Sequence, residues 1–378
     1  MNIPPLDLKR QYQTIKNEVE PALAKLCEEQ TFILGEPVES FERAIGQFIG
    51  TKHAISVSSG TDAIMLALMA AGITNGDEVI TTPFTFIATA EPISLLGAKP
   101  VFVDIDSRSY NIDPTKIKTK ITKKTKAIIV VHLYGQTADM DPIRALAREH
   151  GLVVIEDACQ AIGAVYGATG EQAGVMGEVG CFSFFPSKNL GGFGDGGLVT
   201  TENDQYAEKI LKLRVHGSNK RYYHDEIGIN GRLDALQAVV LKIKLKYLKS
   251  WLKSREEKAS KYKQLIDKKE LTEILAIPHI ERNNFHTYHQ YTLKLLGRNA
   301  SLKKRDDLCE HLRQRGVGTM VYYPVPLHLQ NCYAHLGLKK GSFPCSESCA
   351  DHVFSLPIFP ELTDAEQAYV IDTVADFF

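Results

Sequence analysis

Short β-branched runs and helically spaced segments alternate through the first half of the chain. The runs read AISV, EVITT, KPVFVDI, KAIIVVHLYG, LVVIEDA, GCFSFF and GGLVTT between residues 54 and 201, with helical spacing over 62–71 and 142–150. Strand and helix in alternation predict a largely parallel seven-stranded sheet flanked by helices on both faces, an α/β fold. Ligands of such sheets gather at the carboxyl ends of the strands. Three polar sites fall there: Ser58 to Thr61 after AISV, Asp157 at the end of VVIED, and Lys188 after CFSFF.

The pattern then changes. A helix over 234–268 carries Leu236, Val239, Val240, Ile243, Tyr247 and Leu248 on one side and many lysines on the other, a charge run that reads as a solvated face. A strand near 291–296, a helix near 302–313, a strand near 318–322 and a closing helix near 364–377 predict a small C-terminal α+β domain. At 378 residues the chain exceeds what one core supports. The expected division is a large domain over 1–250, N-terminal arm and helix included, and a small one over 251–378.

Composition narrows the partners. Hydrophobic residues at 44% and charged residues at 24% are ordinary for a soluble protein, and no apolar run is long enough to span a bilayer. The start, MNIPPLDLKRQYQ, lacks the apolar stretch of a secretory signal, so a cytoplasmic location is expected. A formal net charge of −1 argues against nucleic acid as the main partner. Seven scattered cysteines without CxxC pairs read as reduced packing residues, and no metal site is expected.

The stretch 181–197, CFSFFPSKNLGGFGDGG, sets Lys188 between an apolar run and a glycine-rich turn. Desolvation lowers a lysine's pKa and frees its amine to attack a carbonyl, whereas a surface lysine covering aromatics would do nothing of the kind. Asp157 in VVIEDACQ suits a carboxylate that keeps a pyridine nitrogen protonated, and equally a helix cap. In SVSSGTDAIMLALMAAG, Gly60 and Thr61 sit where a helix N-terminus would bind phosphate, although Thr61 or Asp62 could simply be the cap. Ser183 is placed to add a hydroxyl to the same phosphate. Phe86 in TTPFTFIATAE suits a ring stacked on a cofactor or a core phenylalanine. No purely structural role accounts for all of these in one domain.

These segments, with FILGEPVESFE, VHLYGQTADMD, RVHGS, GINGRLDALQA and YYPVPLHLQ, make the chain resemble the DegT/DnrJ/EryC1/StrS sugar aminotransferases over nearly its whole length. The resemblance implies the fold type I of pyridoxal 5′-phosphate enzymes, with pyridoxamine 5′-phosphate as the intermediate form. It implies Lys188 as the Schiff-base and proton-carrying residue, with Asp157 and Gln160 on the ring nitrogen and phenolic oxygen. Gly60, Thr61 and Ser183 would hold the phosphate and Phe86 would stack. Asn230 would reach the phosphate from a neighbouring subunit, implying a homodimer with shared sites. Arg232, Tyr323 and His328 match positions near the nucleotide-sugar pocket.

Relatives that dehydrate sugars carry histidine where this chain has Lys188, which favours transamination. Many relatives read HYPxPLH where this chain has Tyr322, which disfavours a substrate with a C6 carboxylate. The expected reaction takes an amino group from L-glutamate to a nucleotide-linked keto sugar. A 3-keto sugar derived from UDP-N-acetylglucosamine is the first expectation, giving a 3-amino sugar for surface polysaccharide or lipid A. A dTDP-linked 3-keto-6-deoxyhexose, a 4-keto sugar and a non-catalytic regulatory protein are the alternatives.

Overall fold

The computed structural model describes residues 1–281 and 283–378. Each of the seven β-branched runs is a strand: β1 (His53–Val57), β2 (Glu78–Thr81), β3 (Lys99–Phe102), β4 (Thr125–Val131), β5 (Val153–Asp157), β6 (Val179–Ser183) and β7 (Gly197–Thr201). They form one sheet in the order β1-β7-β6-β5-β4-β2-β3, and only β7 runs antiparallel to its neighbours. Successive side chains point to opposite faces. Ile129 and Ile155 therefore join the apolar layer under helix Gly60–Ala70, while Ile128, Val130 and Val154 pack with helix Met140–His150.

A second sheet lies in the C-terminal part, with β8 (Leu275–Ala276), β9 (Tyr291–Leu295) and β10 (Val353–Leu356) antiparallel in the order β10-β9-β8. Its own core gathers Tyr262, Tyr291, Phe354 and Phe359. Helix Ala235–Lys268 joins the two parts. Its Ala238, Leu241, Leu248 and Leu252 pack in a layer of the large sheet, and its Ala259, Tyr262 and Ile266 in the small core. Residue 250 lies inside this helix.

Two sequence expectations are corrected. Residues 318–322 form no strand, because their hydrogen bonds are divided between two partners. Gly318 N–H donates to Ile3 of the N-terminal arm, and Met320 makes a single bridge to Ser355. Gly318 is also pressed on Pro5, whose Cδ would lie 2.5 Å from any added Cβ. The cations of the long helix are not all solvated either, since Lys244 and Arg255 are buried. Among the described residues, no helix is long and apolar enough to cross a membrane.

Candidate active site

Strand β5 ends on two carboxylates that the strand alternation sends to opposite sides. Glu156 is buried and fully engaged by His132 Nε2 at 2.8 Å and by the N–H groups of Gly174, Met176 and Gly177 at 2.8, 2.6 and 2.6 Å. Asp157 faces the other way. Its Oδ2 accepts from the Thr89 hydroxyl at 2.6 Å and its Oδ1 from Cys159 N–H at 3.2 Å. Turns follow it, so Asp157 caps no helix.

Strand β6 is parallel to β5, which brings Ser183 and the loop after it alongside Asp157. Lys188 N–H donates to Phe185 O at 2.8 Å and closes a turn. Crowding around the Lys188 amine removes its water and lowers its pKa, and nearby Cys159 and Asp157 oppose that shift without cancelling it. The loop can fold this tightly because Gly191 lies on Pro186, where a Cβ would stand 2.3 Å from a carbonyl oxygen. Buried Lys244 fastens it by donating to Gly191 O at 2.7 Å.

At the end of β1 the helix Gly60–Ala70 begins, capped by Ser59, whose hydroxyl accepts from Asp62 N–H at 3.0 Å. Thr61 and Asp62 are therefore inside the helix and neither is the cap. Gly60 N–H and Thr61 N–H have no protein acceptor among the described residues. Gly60 lies against β6, where an added Cβ would be 2.7 Å from Ser183 Cβ, so no larger residue brings these donors so near the Ser183 hydroxyl.

Gln160 is locked from two sides. Its Oε1 accepts from Tyr134 N–H at 2.8 Å and its Nε2 donates to the Tyr323 hydroxyl at 2.9 Å. Phe86 keeps 56% of its surface exposed, with its ring 6.2 Å from that of Tyr323. It is not a core residue. Lys188, Asp157, Gln160, Ser183, Gly60, Thr61, Phe86 and Tyr323 thus share the carboxyl-end side of the sheet.

Three expected residues stand apart. Asn230 is exposed and its backbone bridges Val215. Arg232 bridges Val57 beside the Ser58–Gly60 turn, and its Nε is buried without a partner. His328 is corrected from a substrate contact to a buried anchor: its side chain has no exposed surface, packs on Phe343, and pairs with Glu347 Oε1 at 2.9 Å. Burial lowers its pKa although Glu347 pulls the other way. Sequence reasoning missed Thr89 and Tyr134, which hold Asp157 and Gln160. Thr85 and Thr89, hydrogen-bonded at 2.9 Å, were a visible signal in TTPFTFIATA.

The donors fit a phosphorylated pyridine aldehyde. Two free helix N–H groups and a hydroxyl suit a phosphate, a buried carboxylate with neutral donors suits a pyridinium N–H, and a desolvated amine suits the aldehyde. Topology and donor set together define a pyridoxal-phosphate-dependent enzyme of fold type I.

Residues 13–375 match the DegT/DnrJ/EryC1/StrS aminotransferase family, and the chain belongs to it. It is 47% identical to a pleiotropic regulatory protein of Geobacillus stearothermophilus, over 100% of this chain and 99% of that one. It is 42% identical to a UDP-N-acetyl-3-dehydro-α-D-glucosamine 3-aminotransferase of Acidithiobacillus ferrooxidans, over 98% of this chain and 97% of that one. Among solved structures, S. venezuelae DesV in complex with a ketimine intermediate superposes with a TM-score of 0.93 at 40% identity, covering 99% of this chain and 98% of DesV.

Proposed function

We propose that this sugar aminotransferase carries an amino group from L-glutamate to a UDP-linked 3-keto sugar derived from N-acetylglucosamine, releasing 2-oxoglutarate and a 3-amino sugar for surface polysaccharide or lipid A. The observation that carries the chemistry is the desolvated Lys188 amine beside the Thr89-held carboxylate of Asp157. The substrate is supported by the relative named for that reaction, 42% identical across nearly the full chain. Tyr322 in the place of histidine weighs against a C6 carboxylate on the sugar.

Pyridoxal phosphate, when bound, supplies the electron sink that lets an amine and a ketone exchange nitrogen. The protein does the rest. Lys188 holds the aldehyde carbon and, once its amine is free, takes and returns the proton at the substrate carbon. Its lowered pKa raises its neutral share for that task. Asp157 would hold the ring nitrogen, with Thr89 fixing the carboxylate so that no reorientation is needed during the reaction. Gly60, Thr61 and Ser183 bind the phosphate. Gln160 would use its remaining amide proton on the phenolic oxygen, and Phe86 would cover the ring. Tyr323 and Arg232 flank the sugar-nucleotide side, with His328 supporting that loop from beneath.

Asn230, exposed in the single chain, completes the site of a partner subunit in a homodimer that works in the cytoplasm. The domain division we propose is a large cofactor-binding part over 1–250 and a small part over 251–378. A regulatory role, the name borne by the 47% identical relative, gives no reason for an amine to be buried beside Asp157.

Following the visible cofactor band tests the reading. L-glutamate should bleach it, and one member of a panel of UDP- and dTDP-linked 3-keto and 4-keto sugars should restore it. Restoration by a dTDP sugar alone replaces the substrate. A band that glutamate leaves untouched removes the donor.

A further inference from the structure

Arg255 is 3% exposed and has no carboxylate within 4.0 Å among the described residues. Its Nη1 donates to Tyr288 O at 2.9 Å and Ile358 O at 3.0 Å, and its Nε and Nη2 have no protein acceptor there. Burial lowers the guanidinium pKa to about 10, so it stays charged at neutral pH. Glu361 acts on it from beyond ion-pair distance, and burial raises that carboxyl's own pKa, which weakens the compensation. An enclosed cation with three of its five N–H donors idle is a site prepared for an anion.

Arg255 lines a cavity of about 60 Å³ together with Ser187, His289, Gln290, Met320, Tyr322 and Ser355. A water needs roughly 10–15 Å³ by this measure, so a carboxylate and the carbon bearing it fit. His289 in this wall feels the charge of the Lys188 amine, and Ser187 in the same wall precedes Lys188 in the chain, so the cavity lies near the reacting amine. In the same wall His289 Nδ1 is buried without a partner. Burial, with Lys188 and Arg255 adding to it, keeps that imidazole neutral, so one ring nitrogen carries a proton to donate.

We propose that this pocket receives a carboxylate of the amino donor, with Arg255 as its counter-ion and His289 as a hydrogen-bond donor. The inference rests on the amino-donor reading above and adds the residues that select the donor. Tyr322 also lines this cavity, so the sugar end of the acceptor reaches the same mouth in the second half-reaction, while Arg232, the expected nucleotide-side cation, is not among the lining residues.

Two variants test it on the cofactor-loaded protein. Arg255→Gln removes the charge. Met320→Glu, at a residue 45% exposed on the rim, sets a competing carboxylate in the mouth without touching the core. Calorimetry would give the Kd for glutarate and for UDP, and bleaching would give the L-glutamate half-saturation. Both variants should weaken glutarate and L-glutamate by about tenfold or more. They should leave UDP binding, and amine return from the pyridoxamine-loaded protein to the keto sugar, within about twofold.

Equal losses in both half-reactions would make Arg255 purely structural. Unchanged glutarate binding in both variants, or loss of UDP instead of glutarate, would overturn the pocket. Arg255-dependent glutarate binding by a protein that L-glutamate cannot bleach would keep the pocket and remove glutamate as donor.

Discussion

Gly60 and Ser183 are so close that a methyl group on Gly60 would stand 2.7 Å from Ser183 Cβ and 3.0 Å from Cys159 Sγ. That contact holds two unpaired helix N–H groups next to a hydroxyl. Gly60→Ala must push the helix from β6, with a cost of about 1–3 kcal/mol in stability from overpacking. Pyridoxal phosphate affinity of the apo-protein should fall by about tenfold or more, since the phosphate donors move together. Fluorescence titration of the cofactor, beside a denaturation curve, separates the two effects.

The Thr89 hydroxyl supplies one of two hydrogen bonds to Asp157. Thr89→Val keeps the volume and removes the donor, leaving the carboxylate less well oriented. Single-turnover bleaching by L-glutamate should slow by about 10-fold, in line with about 1–3 kcal/mol for a bond to a charged group. Asp157→Asn should slow it much more, because the amide cannot stabilise a protonated ring nitrogen. Equal rates for wild type and Thr89→Val would mean that Asp157 needs no orienting partner.

Much of this site was legible in the chain. Strand ends could be placed because both faces of the sheet are covered, so β4, β5 and β7 are buried along nearly their whole length and rich in β-branched residues. Lys188, Asp157 and Gly60 follow such ends, so their juxtaposition followed from topology. The partners were harder to see. Thr89 meets Asp157 across 68 positions, and Tyr134 offers a backbone N–H, which no side-chain pattern reveals. Arg255 and Lys244 sit in a lysine-rich helix whose helical spacing suggested solvent. The helix passes between two cores, so which face is wet changes along its length. The segment 318–322 had strand-like residues, but its hydrogen bonds are divided between Ile3 of the N-terminal arm and Ser355.

Acid should destabilise the fold well above the carboxylate range. Burial lowers the His286 pKa to about 3, and its Nδ1 accepts from Tyr288 N–H at 2.9 Å, so the folded state holds it neutral. The unfolded chain protonates it near its ordinary value of 6.5. Stability from this group is complete above pH 6.5 and is lost as pH falls toward 3, with a slope of about 1.4 kcal/mol per pH unit. His289 and His328, also shifted down by burial, add to the slope. Urea denaturation between pH 7 and pH 5 (about 2 units in all) should show this loss, and His286→Asn, which retains an acceptor, should reduce the slope by about one proton.

Asn230 is exposed in the single chain, and the shared-site proposal makes it useful only to a neighbour. Lys188→Ala and Asn230→Ala proteins should each be nearly inactive. Mixed under conditions that exchange subunits, they should regain activity, because the hybrid holds one site with both residues intact. No recovery in a demonstrated hybrid dimer would place Asn230 in its own chain's site or outside any site.

Everything in this mechanism depends on Lys188 capturing the cofactor aldehyde. Borohydride reduction of the pyridoxal-phosphate-loaded protein, followed by peptide mass analysis, tests it most directly. One phosphopyridoxyl group is expected on the peptide SFFPSKNLGGFGDGG, absent from Lys188→Ala. A label on any other lysine, or an undiminished label in Lys188→Ala, would contradict it.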